Sequence, residues 1–273
     1  MKKILLFLTL FTGMTLTGCN DSFLEKYPVT SLTEENAFQS YDNFKAFMWP
    51  CYEMFSNTNI ATSTTAIGRN SHYLGDVYAG YLEQRGASSQ NKYAFQTVTN
   101  ATSGNGWNFS SFIRRINIML SHVDDSNMTE EEKNHWKSVG YFFHSFWYME
   151  LIDRFGDVPW VDTPLDDTSE EAYGSRMPRL EVADKVLDRL LWAESNICTA
   201  IYEKKDGSNT INQNCVRAAI SRFTLREGTW RKYHELGSYD RYFTECKRVS
   251  KLLMQDYPSL YTGTDGQPGA GYG

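Results

Sequence analysis

Residues 129–159, TEEEKNHWKSVGYFFHSFWYMELIDRFGDVP, decide the fold class. Thr129-x-x-Glu132 is a capping box, in which hydroxyl and carboxylate each take a backbone N–H that a helix start leaves open. Val139, Phe142, Phe143, Phe146, Trp147, Met149 and Leu151 then occupy the helix so densely that almost no polar face is left. A helix apolar on every side must be covered on every side, so this one is expected to be central. Gly156 suits the helix stop, and Pro159 prevents any continuation.

Helical spacing continues on both sides of this stretch. Ser31-x-x-Glu34 is another capping box, opening a short helix over Ala37 and Phe38. After Ser40, the residues Phe44, Phe47, Met48, Cys51, Tyr52 and Phe55 recur at i, i+3, i+4, i+7, i+8 and i+11, one buried face. Pro50 lies inside that pattern and predicts a kink there or a break before it. Phe109, Phe112, Ile113, Ile116, Leu120 and Val123 predict the helix before the central one. Downstream, one helix carries Val182, Ala183, Val186, Leu187, Leu190 and Leu191. The next carries Val216, Ala219, Ile220 and Phe223, and a last one Phe243, Cys246, Val249, Leu252 and Leu253. Val216 and Ser250 bracket a helix–loop–helix unit of about 34 residues, the tetratricopeptide period. No alternating run suggests a strand. The expected fold is mainly α, with tetratricopeptide-like helix pairs and long irregular loops.

Residues 56–106 break the pattern: they are rich in Ser, Thr, Asn and Gly and carry Tyr73, Tyr78, Tyr81 and Tyr93. Loops of this length in a compact domain are commonly binding segments.

Composition narrows the function. With 41% hydrophobic and 22% charged residues in 273, the chain is neither a disordered tail nor a polytopic membrane protein. The net charge of -6 disfavours a nucleic-acid partner, which calls for clustered Lys and Arg. The histidines at 72, 122, 135, 144 and 234 are scattered, and no metalloprotease, nucleophile-elbow or phosphate-loop motif occurs. His144, among aromatics on the central helix, is expected to be a core or interface side chain, and no cofactor or metal is implied. Asp157, Asp162, Asp166 and Asp167 follow Phe155; the expected reading is a solvated acidic loop, the alternative a glycosidase carboxylate pair. Cys51, Cys198, Cys215 and Cys246 form no C-x-x-C pair; Cys198 and Cys215 either bridge a helical hairpin or stay as buried thiols.

The N-terminus has an export layout: Met1-Lys2-Lys3, the apolar run Ile4–Phe11, then small and polar residues to Cys19. The run is too short for a permanent membrane helix, which needs ~20 residues. Leu16-Thr17-Gly18-Cys19 fits a bacterial lipobox, which makes residues 1–18 a lipoprotein signal peptide, Cys19 the acylated residue and residues 19–30 a lipidated tether. The alternative is an ordinary secreted protein. Loss of Lys2 and Lys3 with the signal leaves the mature chain more acidic than -6.

An exported helical scaffold rich in aromatic rings suits sugars, whose apolar faces stack on rings while Asp, Asn and Arg bond the hydroxyls. The candidate glycan contacts are Tyr73, Asp76, Tyr78, Tyr81, Arg85 and Trp107. For each, core packing or ordinary loop surface is the competing reading.

The ordered pieces resemble the SusD/RagB family of outer-membrane nutrient-uptake lipoproteins. They are the lipobox with Asp21, Leu24, Pro28 and Leu32-Thr33-Glu34; Trp107 ahead of Ile113-x-x-Ile116-Asn117; and Tyr141-Phe142 through Arg154-Phe155-Gly156-Asp157-Val158-Pro159. Arg179 with Val182, Ala218-Ala219-Ile220-x-Arg222-Phe223 and Glu227-Gly228-Thr229-Trp230 continue the order. The resemblance implies a non-enzymatic lipoprotein on the outer membrane of a Gram-negative bacterium. It captures oligosaccharides, or peptides in some relatives, and passes them to a SusC-like TonB-dependent transporter. It also implies that residues 31–258 are the N-terminal helical domain, and that the Gly-rich stretch 259–273 opens a missing C-terminal region. The competing functions are an exported glycosidase or lyase using the acidic loop, and a scaffold that holds a protein partner.

Overall fold

In the computed structural model, the described residues are 37–56, 110–166, 168–198, 206 and 210–259. The Ser40 hydroxyl accepts from Asn43 N at 3.4 Å and starts α1 (Tyr41–Met48), which buries Tyr41, Phe44 and Met48. Pro50 carries no N–H, so the α-helical ladder stops before it. The chain tightens into a 3-10 turn, Trp49–Tyr52, and resumes as a one-turn helix, Glu53–Ser56. The break before Pro50 matches the expectation, and Cys51 still reaches the core.

Helix α2 (Ser110–His122) buries Ile113, Ile116, Asn117 and Met119. Helix α3 (Glu130–Phe155) has both halves of its capping box: Glu132 N donates to Thr129 Oγ1 at 3.3 Å, and Thr129 N to Glu132 Oε2 at 3.1 Å. Its buried residues run from His135 to Ile152 and include Phe142, Phe143, Tyr148 and Leu151, so the helix is central as its composition requires. It stops at Gly156, whose φ is +71°. Val158 then exchanges backbone bonds with Met177, an isolated bridge; no strand occurs among the described residues.

Helix α4 (Arg179–Asn196) begins after Pro178. Helix α5 (Gln213–Tyr233) is capped by the Asn212 side chain, which accepts from Cys215 N at 2.9 Å. Two residues with positive φ, Glu235 and Ser238, flank Gly237 in the turn to α6 (Tyr239–Asp256). Helices α2 to α6 each pack against their neighbours in sequence, and α1 packs on α2. Ser221 and Ser250 join α5 to α6 through an Oγ–Oγ bond of 2.8 Å, within the repeat-length unit seen in the sequence. Asp206, almost fully buried, accepts from the Tyr41 hydroxyl and lies 3.4 Å from His135 Nε2 and 3.3 Å from Lys45 Nζ. The four cysteines of the described residues are free thiols: Cys198 Sγ donates to Glu131 Oε1 at 2.7 Å instead of bridging to Cys215.

The α2–α3 crossing depends on Gly140. A Cβ there would lie 2.6 Å from Met119 Cε and 2.8 Å from Leu120 Cδ2, and Met119 is fully buried. Gly140→Val is therefore expected to lose ~1–3 kcal/mol through overpacking. Urea unfolding measures the loss; a midpoint at or above that of the parent would refute the close approach.

Candidate functional site

Tyr73, Asp76, Tyr78, Tyr81, Arg85 and Trp107 lie outside the described residues, as do Cys19 and Asp167. The described part of the chain shows what becomes of the other signature segments. They converge on two polar assemblies at the helix junctions.

The first holds the loop after α3. Asp157 Oδ1 accepts from Arg179 N at 2.8 Å and caps α4, a role that Pro178 has no side-chain group to fill. The Tyr148 hydroxyl donates to Pro159 O at 2.9 Å and accepts from Val161 N at 2.8 Å. Asn117 Nδ2 donates to Val161 O at 3.1 Å and Thr163 O at 3.0 Å. His144 Nε2 meets the same Val161 carbonyl at 2.9 Å. A carbonyl only accepts, so Nε2 carries the proton and Nδ1 is bare, buried and without a partner. Burial and the nearby Arg189 cation hold the His144 pKa well below that of a free imidazole. Burial likewise raises that of the Tyr148 hydroxyl.

Trp160 covers this assembly, its ring centroid 4.9 Å from His144 and 4.6 Å from Tyr148. Arg189 lies between two aromatic faces, 4.8 Å from the Trp160 centroid and 4.9 Å from that of Tyr141. Asp162 takes the indole N–H of Trp160 at 2.9 Å and pairs with Arg189 at 3.4 Å. Asp166 accepts from Thr168 N, Thr168 Oγ1 and Ser169 Oγ at 2.8, 2.7 and 3.1 Å, and these bonds hold its carboxyl below the usual range. Asp157, Asp162 and Asp166 are thus engaged in holding the loop's own shape. Asp162 and Asp166 are exposed, as expected of a solvated loop.

The second assembly surrounds Glu227, which has no exposed surface. Arg179 Nη1 and Arg231 Nε both donate to its Oε1, at 3.0 and 2.9 Å, and Arg179 Nη1 also lies 2.8 Å from Oε2. Arg231 Nη2 also reaches Leu180 O at 2.8 Å, Asp184 Oδ1 at 3.0 Å and the Tyr242 hydroxyl at 3.0 Å. Tyr242 donates to Asp184 at 2.6 Å. Arg179 stacks over Trp230 at 4.7 Å, while His234 lies 4.1 Å from the same ring. Gly228 leaves room for Phe243, whose ring carbon Cε1 would be 2.8 Å from an added Cβ. Arg179, distant in the sequence from Glu227, Gly228 and Trp230, is their neighbour at the α4–α5–α6 junction.

Sequence reasoning did not single out Tyr148, Asp184, Arg189, Arg231 or Tyr242. Arg231 carried a signal, standing four residues after Glu227 on one helix. The other four have partners fixed only by tertiary packing.

A succession of packed helix pairs, with a pinned loop after the central helix and a buried arginine–glutamate junction, defines a tetratricopeptide-like scaffold. The chain belongs to the SusD-like family: residues 22–225 match the family model described as "Starch-binding associating with outer membrane". The SusD-like protein P2 of Formosa agariphila is 28% identical over 194 residues, covering 66% of this chain and 35% of that protein. Among solved structures, NanU of Bacteroides fragilis superposes with a TM-score of 0.59 at 15% identity, over 88% of this chain and 46% of that one. A SusD-like carbohydrate-binding protein of Bacteroides vulgatus gives 0.57 at 16% identity, over 84% and 47%. A laminarin-binding SusD-like protein gives 0.55 at 16%, over 80% and 44%. The chain spans about a third of the length of the curated relative and under half of these solved chains. The mainly helical expectation holds.

Two measurements probe the assemblies. Glu227→Ala strands two arginines at a buried site and is expected to cost ~3–5 kcal/mol in urea unfolding. A loss under ~1 kcal/mol would mean that solvent already screens the junction. His144 titrates only in the unfolded chain near neutral pH, so falling pH favours unfolding once it passes below ~6.5, at up to ~1.4 kcal/mol per unit. Between pH 7.5 and 5.5, His144→Gln should flatten the decline in melting temperature relative to the parent. Parallel profiles for parent and variant would show that His144 takes up no proton on unfolding.

Proposed function

We propose that the chain is the helical part of a cell-surface lipoprotein that captures oligosaccharides without cleaving them and passes them to a SusC-like TonB-dependent transporter. The observation that carries this reading is the match of residues 22–225 to a family described as starch-binding and associating with the outer membrane. The names of two structural neighbours, a carbohydrate-binding and a laminarin-binding protein, point the same way. Residues 1–18 act as the signal peptide, Cys19 carries the lipid and residues 19–30 tether the domain 31–258 to the outer membrane of a Gram-negative cell. Several acyl chains are needed for a stable anchor, because one gives only marginal binding.

The sugar contacts are assigned to Tyr73, Asp76, Tyr78, Tyr81, Arg85 and Trp107. Ring stacking and single hydrogen bonds give affinities in the micromolar to millimolar range, ~4–8 kcal/mol. The hydrolase alternative is weakened by the bonding of Asp157, Asp162 and Asp166, each tied to a backbone or side-chain partner of the scaffold.

Affinity electrophoresis of the chain lacking residues 1–18 in gels containing laminarin or starch tests the reading. Retardation without release of reducing ends is expected, and Tyr78→Ala with Trp107→Ala should abolish it. Retardation by neither glycan, or reducing ends released by the parent, would overturn it.

A further inference from the structure

An open pocket of about 360 Å³ lies between the turn before Ser56, α3, residues 210–212 and α5. Phe55, Phe142 and Phe146 line it with Tyr52, while α5 contributes Cys215, Ala218 and Arg222. The volume falls in the range of small-molecule sites, and the lining is mostly hydrocarbon. Arg222 differs from the other arginines of its helix. Arg217 pairs with Glu194 and Asp256, Arg226 with Asp153, and Arg231 with Glu227 and Asp184. Among the described residues no carboxylate lies within ion-pair distance of Arg222. Glu150 of α3 is an acidic group whose field reaches it, and burial and the neighbouring Asp153 raise that carboxyl above the usual range. Arg222, exposed and without an ion-pair partner among the described residues, thus stands beside an aromatic-walled pocket.

We propose that this pocket binds a small aryl or alkyl carboxylate, its hydrocarbon body against Phe55, Phe142 and Phe146 and its carboxylate on Arg222. A guanidinium presents paired N–H donors that match the two carboxylate oxygens. A sugar fits this pocket poorly. The Asn212 carbonyl oxygen already caps α5, so several hydroxyls would enter a hydrocarbon wall without partners. The site is therefore independent of the glycan contacts proposed for residues 73–107.

Calorimetric titration with trans-cinnamate and its uncharged amide tests the assignment. The parent should bind one cinnamate per chain, and the amide ~10-fold more weakly, because the charge-assisted bond is lost. Arg222→Gln should bring the two ligands to equal affinity. Ala218→Trp, a substitution at an exposed pocket position, should abolish both. Melting curves show that each variant is folded, and Arg222→Gln, at the surface, carries the test if Ala218→Trp is not. Cinnamate should also slow alkylation of Cys215 by iodoacetamide in the parent and not in Ala218→Trp. No saturable binding by the parent, unchanged binding by folded Ala218→Trp, or a preference for the acid that survives Arg222→Gln would each overturn the proposal.

Discussion

The buried carboxylate of Glu227 sets the terms for the second half of the molecule. An isolated carboxylate without solvent costs several kcal/mol, and it persists only where cations and donors replace the lost water. Arg179 and Arg231 supply them, one from the first turn of α4 and one from α5 itself. Each arginine then has its own requirements. Arg231 must find Asp184, Leu180 O and Tyr242, which brings in α6, and Arg179 lies flat on Trp230. Three helices are thereby locked at one angle and register, because bonds to a planar guanidinium tolerate little misalignment. Hydrophobic packing alone would permit sliding; the polar junction does not.

The central helix imposes a matching constraint on the first half. Buried along most of its length, α3 carries polar side chains into the core, where a hydrogen-bond partner must replace water. His144 and Tyr148 of α3, joined by Asn117 of α2, bond to backbone groups of residues 159–163, which would otherwise lie beside the helix unpaired. The loop is as ordered as a strand would be, although one isolated bridge is its only ladder. Trp160 and Arg189 cover it from outside, and Asp162 fixes both by accepting from each. Such a loop is poorly suited to moving and well suited to a supporting role.

Local rules written in a few adjacent residues were legible. Ser40 and Thr129 begin helices, Pro50 and Gly156 interrupt them, and the spacing of apolar residues sets their faces. The acidic loop was legible only in part. That Asp162 and Asp166 are solvated followed from their surroundings in sequence. Asp157, though exposed, is chosen for a different reason: α4 begins after Pro178 and lacks a capping side chain there, and Asp157, 22 residues earlier in the chain, supplies one. No window of sequence contains both facts. The same holds for Arg189, whose charge reads as surface and whose place is between two rings. The thiols show the limit from the other side, since the polar loop between Cys198 and Cys215 allowed a bridge that Glu131 takes up instead.

Solved structures at 15–16% identity superpose with TM-scores of 0.55–0.59, so the fold tolerates wide change in sequence. Asp157, Arg179, Glu227, Gly228 and Trp230, which carry much of the family resemblance, are occupied with one another. Changing any one leaves a buried charge, an open helix end or a clash, so these positions have few acceptable alternatives. Surface positions away from such features carry no such penalty. A motif built from residues bonded to one another therefore identifies the scaffold and says little about function. Chemistry that varies between members is better sought where a side chain's bonding capacity is left over. In the described part of this chain, Arg222 beside its aromatic pocket meets that condition, while Arg179 and Arg231 do not.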